Sequence, residues 1–595
     1  MKTYTILVLA GCTLTTSLNA QTAKKTQTEK DTLIQRDLVL EKEYEPTVQN
    51  AEKIIIYPDI EMQAIEKQPM AFSIAESPTT VQGDYNPLPA AGIQMTYPAS
   101  QQFGFLRLGV GGHKSFLGDA QINLIRQSKQ TLDFSFNHRS VFGDITNSAD
   151  ETQRAYSNKN NLAASYKRYQ ENTELSASFT ETYNAWNYFG SWGTTGSTAN
   201  LVVPDGQWSS DTRLGFALKS RDQGQPLSWN VDAASHIYRL GRGVLAAGST
   251  DEEKGGREKE ISIKANINYD RSDLFHYGID AKLRSFSYHT PKSINASDEN
   301  FGDRGWFEFT PYARMIYKQW VVMGGIRLAI PTLETERVKA NIVASASRML
   351  DEQTSVNVTL GGGVNPLSYR EGIGMNPYLD PATRLKSTWK VIDLTAGIDF
   401  RPYRNLRLSP VFEYDVTKNA PFFHNGNAGS LLNDAYLSYG QLFSAEYMTS
   451  NHFKVGASGL YTYGSLLTVL GELNYNQYLN YSENDEVDNL LKDNGRKAWY
   501  KPGLEMRLRA DISATEKLNL FVDYRMEALR YAADNTSFCR KMDGINNLTI
   551  GGNYKLIKDV DIFLHLNNLL DERTEIWYAY PVHGFTAVIG GSVNF

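Results

Sequence analysis

The chain has 595 residues, with 60 Lys and Arg against 66 Asp and Glu and a formal net charge of −6. This slightly acidic balance, without a block of basic residues, argues against nucleic-acid binding. The mean hydropathy of −0.41 and the lack of a run of about 18 apolar residues argue against membrane-spanning helices. The chain is rich in aromatics, which make up 12% of its residues, and Tyr and Trp are typical of membrane–water interfaces.

The first twenty residues have the pattern of an export signal. Lys2 precedes an apolar core from Ile6 to Ala10, and small and polar residues follow, so residues 1–20 are predicted to be a signal peptide cleaved after Ala20. An alternative is lipid attachment at Cys12, because LAGC at 9–12 resembles a lipobox. Cleavage after Ala20 would leave Cys539 as the only cysteine, which excludes an intramolecular disulfide.

Residues 21–100 are predicted to be an extended or disordered N-terminal segment. The first ten, QTAKKTQTEK, are polar and lack the apolar residues that a folded core requires. Prolines are frequent between 54 and 100, and they favour extended coil over a folded domain.

Apolar and polar residues alternate from about residue 101 to the end. The segments 131–137 (TLDFSFN), 261–270 (ISIKANINYD) and 392–400 (IDLTAGIDF) show this period of two, and 453–463, 518–526 and 560–566 repeat it. Successive side chains of a strand point to opposite faces, so the pattern predicts strands with one apolar and one polar face.

Strand length and loop length together predict a membrane barrel. Strands of about ten to twelve residues, when tilted, match the roughly 25 Å apolar band of a barrel wall. Short turns at 513–516 and 558–559 alternate with long polar loops at 185–210, 481–497 and 531–544. We therefore expect an all-β fold, a transmembrane antiparallel β-barrel of about 20–22 strands over residues 101–595. A short turn at Ser450–Asn451 and a long loop at 419–435 would lie on the wrong rims, which indicates a misassigned strand between 436 and 480.

The final segment, GFTAVIGGSVNF, predicts how the barrel closes. Alternate residues from Phe585 to Phe595 carry no polar side chain. Unpaired strand edges are costly in lipid, so the last strand is expected to pair with the first, near 103–110. Phe595 is predicted to anchor the barrel at the periplasmic interface.

Two segments resemble TonB-dependent receptors. Residues 564–595 (LHLNNLLDERTEIWYAYPVHGFTAVIGGSVNF) look like the closing hairpin of that family, and NPYLDP at 376–381 is similar to a segment common in its barrels. The resemblance implies a 22-strand outer-membrane barrel with an N-terminal plug, which imports scarce ligands such as metal chelates or glycans and is driven by TonB. About 80 residues before the first strand are too few for the usual plug, so residues 21–100 are expected to be at most a partial lumen stopper.

Two candidate binding segments follow from this interpretation. Asp31, Thr32, Leu33 and Ile34 resemble a TonB box, which pairs with a TonB edge strand, and a flexible leader is the alternative. A loop rich in aromatics could stack on sugars or other planar ligands, or could equally pack at the interface or within the loop. Its residues are Trp186, Tyr188, Phe189, Trp192 and Trp208.

Enzymatic function is not expected. Residues 109–115 (GVGGHKS) lack the Gly before Lys of a phosphate-binding loop and are predicted to be a hairpin turn. The nine His are scattered, and the acidic residues of 483–488 lack the spacing of a calcium loop, which favours a solvated loop over a calcium site. No catalytic residue, metal site or cofactor is predicted.

The sequence thus predicts an exported protein of the Gram-negative outer membrane that mediates uptake or passage of a solute, either energised or passive and porin-like. The alternative is a non-transporting scaffold barrel of an outer-membrane complex. The expected partners are outer-membrane lipid, the barrel-assembly machinery, and a TonB-like protein or a surface lipoprotein; no nucleic acid is expected.

Overall fold

The computed structural model describes residues 103–595 except 147–149, 191–200, 203–205, 222–224, 244, 247–254, 290–302, 334–335, 382, 384, 426–441 and 534–537. The predictions for the signal peptide with Ala20, for Cys12, for the TonB-box-like residues 31–34 and for a lumen stopper therefore lie outside the described residues.

The described chain forms one 22-stranded antiparallel sheet. Its strands, in chain order, are β1 (Gly104–Gly111), β2 (Ser115–Gln127), β3 (Gln130–Thr146), β4 (Thr152–Tyr169), β5 (Thr173–Trp186), β6 (Gln207–Ser220), β7 (Leu227–Leu240), β8 (Arg257–Asp270), β9 (Phe275–His289), β10 (Asp303–Tyr317), β11 (Trp320–Pro331), β12 (Lys339–Met349), β13 (Thr354–Asn365), β14 (Thr388–Tyr403), β15 (Leu406–Asn425), β16 (Phe443–Tyr463), β17 (Leu467–Tyr481), β18 (Leu504–Ser513), β19 (Leu518–Ala528), β20 (Ile545–Ile557), β21 (Val560–Asn567) and β22 (Thr586–Asn594). Short two-stranded pairings outside this sheet join Leu201–Val202 to Leu245–Ala246, Arg530–Ala532 to Arg540–Met542, and Glu575–Trp577 to Tyr580–Pro581.

The sheet closes on itself through its first and last strands. β1 pairs antiparallel with β22, from Phe105 opposite Asn594 to Gly111 opposite Val588. The Phe595 N–H donates to the Gly104 carbonyl at 3.0 Å, and the Gly104 N–H donates to the Phe595 carbonyl at 2.9 Å. The expected closure near residues 103–110 is confirmed, and it leaves no open edge between these two strands.

The two faces of the sheet differ as the alternating sequence predicts. In β8, Ile261, Ile263 and Ile267 point outward and are 56%, 39% and 47% exposed. The carboxylates of Glu258 and Glu260 lie on the opposite face and are buried. The outer wall is therefore apolar and the inner wall polar, which is the arrangement of a barrel in lipid rather than of a soluble sheet.

Connection length distinguishes the two rims. The rim that carries Phe595 has tight turns such as 128–129, 404–405 and 558–559, whereas the opposite rim carries segments such as 187–206, 366–387 and 482–503. We call the second one the long-loop rim. The hairpin predicted at 109–115 lies there, with Gly111 paired to Ser115.

The assignment around residue 450 is corrected by the structure. Ser450 and Asn451 lie inside β16, paired with Thr417 and Val416 of β15, rather than in a turn. A register shift between Thr417 and Ala420 lets β15 continue as far as Asn425, beyond the start of the expected loop. Two consecutive polar residues suggest a turn in the sequence. In the structure Ser450 is 4% exposed and points to the interior of the fold, where a polar side chain of a strand is accommodated.

Two helices occur among the described residues, α1 (Tyr369–Met375) and α2 (Asp485–Asp493), both in segments of the long-loop rim. Neither is long and apolar enough to cross a membrane. A cluster of buried apolar residues also lies at this rim, where strand ends meet the loops, so apolar side chains pack together at the mouth of the barrel.

Candidate functional site

The segment between β13 and β14, residues 366–387, folds into a compact helix and turn, which we call the cap. Ser368 begins α1 with a capping box: its hydroxyl accepts from the Glu371 N–H at 3.1 Å, and the Glu371 carboxylate accepts from the Ser368 N–H at 3.0 Å. After the helix, the Asn376 side chain accepts from the Tyr378 N–H at 2.9 Å. These local bonds give the cap its own shape before it contacts the barrel wall.

Arg284 of β9 joins the cap to the wall. Its Nε lies 2.5 Å from the Glu260 carboxylate on β8, and its Nη2 lies 2.7 Å from the Glu371 carboxylate of the cap. The same guanidinium donates to the Pro366 carbonyl at 3.0 Å. Arg284 and Glu260 are 7% and 4% exposed, so this pairing takes place largely out of water.

A second set of contacts completes the attachment. Arg370 Nη2 lies 3.0 Å from the Glu260 carboxylate. The Glu258 carboxylate accepts from the backbone N–H groups of Tyr369 at 2.5 Å and Arg370 at 3.3 Å, which satisfies donors that the first turn of a helix leaves free. We call Glu258, Glu260, Arg284, Arg370 and Glu371 the latch.

Burial and charge fix the protonation of the cap. Burial opposes the charge on Arg370, but its hydrogen bond to Glu260 and the nearby carboxylates outweigh that effect and raise the pKa of Arg370. Burial also raises the pKa of Tyr378 above its ordinary value, and it raises the pKa of Tyr369 and of Tyr580 well above that value. The guanidinium therefore stays charged and the phenols stay neutral at physiological pH.

The cap continues along β9 and β10 after the helix. The Tyr288 hydroxyl donates to the Pro381 carbonyl at 2.9 Å, and Arg304 donates to the Leu385 carbonyl at 2.7 Å. The ring of Tyr288 also stacks on Tyr369, with ring centres 4.4 Å apart. This side of the cap is thus bonded to the wall over most of its length.

The other side of the cap contacts distant parts of the barrel. The Phe443 N–H at the start of β16 donates to the Tyr378 carbonyl at 2.9 Å, and the Asp380 N–H donates to the Phe443 carbonyl at 2.8 Å. Tyr378 stacks on Tyr580, which precedes β22, at 3.6 Å between ring centres, and Phe189, which follows β5, meets Tyr580 edge-on at 4.9 Å. The strands β5, β13, β16 and β22 are far apart in the barrel wall. The loop residues next to them can therefore meet only across the mouth of the barrel.

The aromatics predicted as ligand contacts fall into two environments. Trp186, Tyr188 and Phe189 are 7%, 6% and 8% exposed and pack beside the cap rather than forming an open surface. Trp208 is half-buried and stacks on Tyr183 at 5.9 Å. Trp192 lies outside the described residues. Ligand contact by these residues stays a prediction, and for the first three it requires the cap to open.

The inner wall below the cap carries paired charges. Asp119 of β2 lies between two arginines, with Arg107 at 2.5 Å and Arg139 at 2.7 Å. Asp523 of β19 similarly accepts from Arg507 at 2.8 Å. Such ladders give the lumen a polar lining without leaving isolated buried charges.

No group of three or more metal-ligating side chains occurs among the described residues. The acidic residues of 483–488 lie around the start of α2. Glu483, Asp485 and Glu486 are exposed to solvent, and Asp488 pairs with Arg496 at 2.6 Å.

Sequence reasoning missed the latch and the closure of the mouth. One local signal was present, because Ser368-Tyr-Arg-Glu371 is the S-x-x-E pattern of a capping box and predicts a helix start inside a loop. The partners of Arg284 could not be found in this way, because Glu371 lies 87 residues further along the chain.

No family model and no curated protein matches the chain. Solved structures of similar fold do match it. The FrpB iron transporter from Neisseria meningitidis has a TM-score of 0.63 at 11% identity, covering 84% of this chain and 82% of that one. The ferric-catecholate import receptor Fiu from E. coli K12 has a TM-score of 0.57 at 12% identity, covering 83% and 81%.

The copper transporter OprC has a TM-score of 0.57 at 13% identity, covering 83% of this chain and 80% of that one. At these identities the similarity is one of fold. It confirms the fold that the resemblance to TonB-dependent receptors implied, a closed antiparallel barrel of 22 strands.

Proposed function

We propose that this barrel lies in the outer membrane of a Gram-negative cell and mediates uptake or passage of a solute, with the cap as its outer gate. The observation that carries the proposal is the cap itself, a folded segment that crosses the mouth of a polar-lined barrel and is bonded to the wall by the latch. A barrel of this strand number encloses a lumen wide enough to need either water or a closure.

The outer surface supports the membrane location. Aliphatic side chains point outward in the middle of the strands, such as Ile263, Ile326 and Leu473, at 39%, 55% and 50% exposure. Exposing so much apolar surface to water would be costly, whereas acyl chains solvate it. Export by the predicted signal peptide and insertion by the barrel-assembly machinery belong to the same proposal.

The chemistry of the latch suits a gate. Charges that pair out of water gain little net free energy, because desolvation offsets much of their attraction. They do fix one position of the cap, since an unpaired carboxylate or guanidinium there would be strongly unfavourable. A ligand that offered equivalent hydrogen bonds could therefore release the cap at modest cost.

The comparisons support a first choice of solute class. The proteins of similar fold are described as transporters or receptors for iron, ferric catecholates and copper. A scarce metal chelate is accordingly the first substrate class to test for this chain. Energy would come from a TonB-like partner bound at residues 31–34, and a surface lipoprotein could assist at the long-loop rim.

One observation favours the scaffold alternative. Tyr369, Leu379 and Phe443 are all 0% exposed, so the cap is packed as tightly as a protein core. A mouth closed so firmly would also suit a non-transporting barrel that holds an outer-membrane complex. No enzymatic activity is part of either proposal.

Conductance in planar bilayers distinguishes the gated transporter from the non-transporting scaffold. The samples are the intact protein, a deletion of residues 21–100, an Arg284→Ala/Arg370→Ala variant, and the deletion combined with that variant. A gated transporter predicts large conductance steps in the combined form, because both closures have been weakened. The exposed Arg525→Ala substitution, combined with the same deletion, is the control and should conduct no more than the deletion alone. A combined form that inserts, folds and never conducts would favour the scaffold.

A further inference from the structure

Two histidines meet at the long-loop rim beside the closing strands of the barrel. His113 lies in the turn between β1 and β2, and His583 lies in the segment just before β22. Their ring centres are 4.9 Å apart, with the ring planes inclined at 55°. The two residues come from opposite ends of the barrel sequence, and the pairing of β1 with β22 brings them together.

One ring nitrogen of this pair has no partner among the described residues. His583 Nε2 is buried and makes no hydrogen bond to any of their atoms. A buried polar atom left in this way costs free energy, and an ion or a water is its usual partner. The backbone around it is held in place, because the Asn568 amide donates to the His583 carbonyl at 3.1 Å.

Gly143 allows the two rings to approach each other. A methyl group on Gly143 would lie only 2.7 Å from the His113 Cβ and 3.1 Å from its Nδ1.

The spacing fits a shared ion. Two imidazoles that bind one tetrahedral ion at about 2.1 Å per bond have ring centres roughly 5 Å apart. Imidazole nitrogen suits zinc, copper and nickel rather than magnesium or calcium.

We propose that His113 and His583 together bind one divalent transition-metal ion, with water completing its coordination. The ion would join the first hairpin of the barrel to its last loop, across the β1–β22 closure. Since the described residues hold no cluster of three ligating side chains, the affinity expected is that of a two-histidine site, in the micromolar range. The proposal does not depend on what the barrel transports.

The first test is metal titration of the full chain, purified in detergent without a histidine tag and stripped with a chelator. Calorimetry with ZnCl₂ should give about one ion per chain, and Cu²⁺ should give an electron paramagnetic resonance spectrum with two nitrogen ligands. Saturating metal should also raise the midpoint of thermal unfolding, because the ion binds only the folded state.

Variants then assign the site. His113→Asn should weaken binding at least tenfold, and Asn tolerates the positive φ of 51° at this turn position, so folding should be retained. His583→Gln should have the same effect. His138→Ala is the matched control, because both of its ring nitrogens already have partners, Asn160 at 2.7 Å and Ser140 at 3.0 Å, and its metal binding should equal that of the wild type.

Gly143→Ala provides a test that removes no ligand. The added methyl should push the His113 ring away and weaken binding about as much as His113→Asn does. Unchanged affinity in His113→Asn, or no stoichiometric binding by the wild type, would overturn the proposal.

Discussion

Arg284 is the residue on which the cap depends most. It pairs with Glu260 of the wall and Glu371 of the cap, and both distances are within hydrogen-bond range. Arg284→Ala would leave the buried Glu260 with fewer partners, a loss of about 3 kcal/mol or more for the docked cap. We expect amide hydrogen exchange across residues 366–387 to accelerate by roughly a hundred-fold, since each 1.4 kcal/mol is about a factor of ten.

Arg525→Ala is the control for that measurement. Arg525 also pairs with a carboxylate, Asp523 at 3.3 Å, but its side chain is 61% exposed. Exposed pairs contribute less than about 1 kcal/mol. Equal exchange rates in the cap of both variants would contradict the role assigned to Arg284.

Neighbouring residues of β17 test which face meets lipid. Leu473 points outward and is 50% exposed, whereas Asn474 points inward opposite Glu505 of β18. Leu473→Lys should lower the free energy of unfolding by about 2–4 kcal/mol in vesicles, if it lies near the bilayer centre. Asn474→Lys should change it little, because the lumen is polar. Urea titrations of both variants in lipid vesicles measure the difference, and equal losses would mean that the faces are assigned wrongly.

The face of the sheet to which a side chain points could be predicted from the sequence, but the side chain with which it pairs could not. The alternation over 261–270 correctly places the isoleucines of β8 outward. It does not reveal that Glu260 meets Arg370, 110 residues away. Period two fixes the direction of a side chain, whereas its partner depends on how a distant loop folds.

At the scale of single elements, α1 should depend on its capping box. Ser368→Ala removes the hydroxyl that accepts from the Glu371 N–H and should destabilise the helix by about 1 kcal/mol. Hydrogen exchange within residues 369–375 should then rise while β13 and β14 keep their protection. Ser368→Thr is the matched variant, since Thr also forms a capping box without adding a charge and should restore protection. A loss of protection in the neighbouring strands as well would show that the effect is not local.

The segment that holds α2 should respond to acid. The hydrogen bond from Arg496 to Asp488, at 2.6 Å, lowers the pKa of Asp488 from 3.8 to about 2. The folded state therefore binds the proton less readily than the unfolded one, so the stabilisation is present above pH 3.8 and is lost as the pH falls towards 2.

Hydrogen exchange over residues 482–496, followed from pH 5 down to pH 2 and corrected for intrinsic rates, measures this loss. Asp488→Asn should abolish the pH dependence in that window. If wild type and Asp488→Asn respond alike, another group is responsible.

Strands were more predictable than loops for a physical reason. A strand in a barrel wall has lipid on one face and the lumen on the other, so apolar and polar residues alternate along its sequence. The cap packs against the wall and against other loops through separate residues such as Tyr369 and Tyr378, so its apolar residues follow no period. The error at Ser450–Asn451 has the same origin, because a polar residue that faces the interior, as Ser450 does, looks like a turn residue when read without its partner.

The described strands form a closed ring whose two rims differ. The rim with the chain end has tight turns, and the long-loop rim carries the cap and the His113–His583 pair. Sequence alone predicted the closure of the ring, the approximate strand number and the asymmetry of the rims. It did not predict that loops attached all around the ring would meet over the mouth, because such contacts depend on the complete topology.

The apolar outer wall should be solvated by the acyl chains of an outer membrane. Fractionation of cells expressing the full chain, without detergent and followed by flotation on a density gradient, tests it most directly. We predict that the protein floats with the outer membrane, resists extraction by alkaline carbonate, and migrates differently on a gel before and after boiling. A folded, monodisperse protein in the aqueous supernatant would mean that the outer wall does not contact lipid.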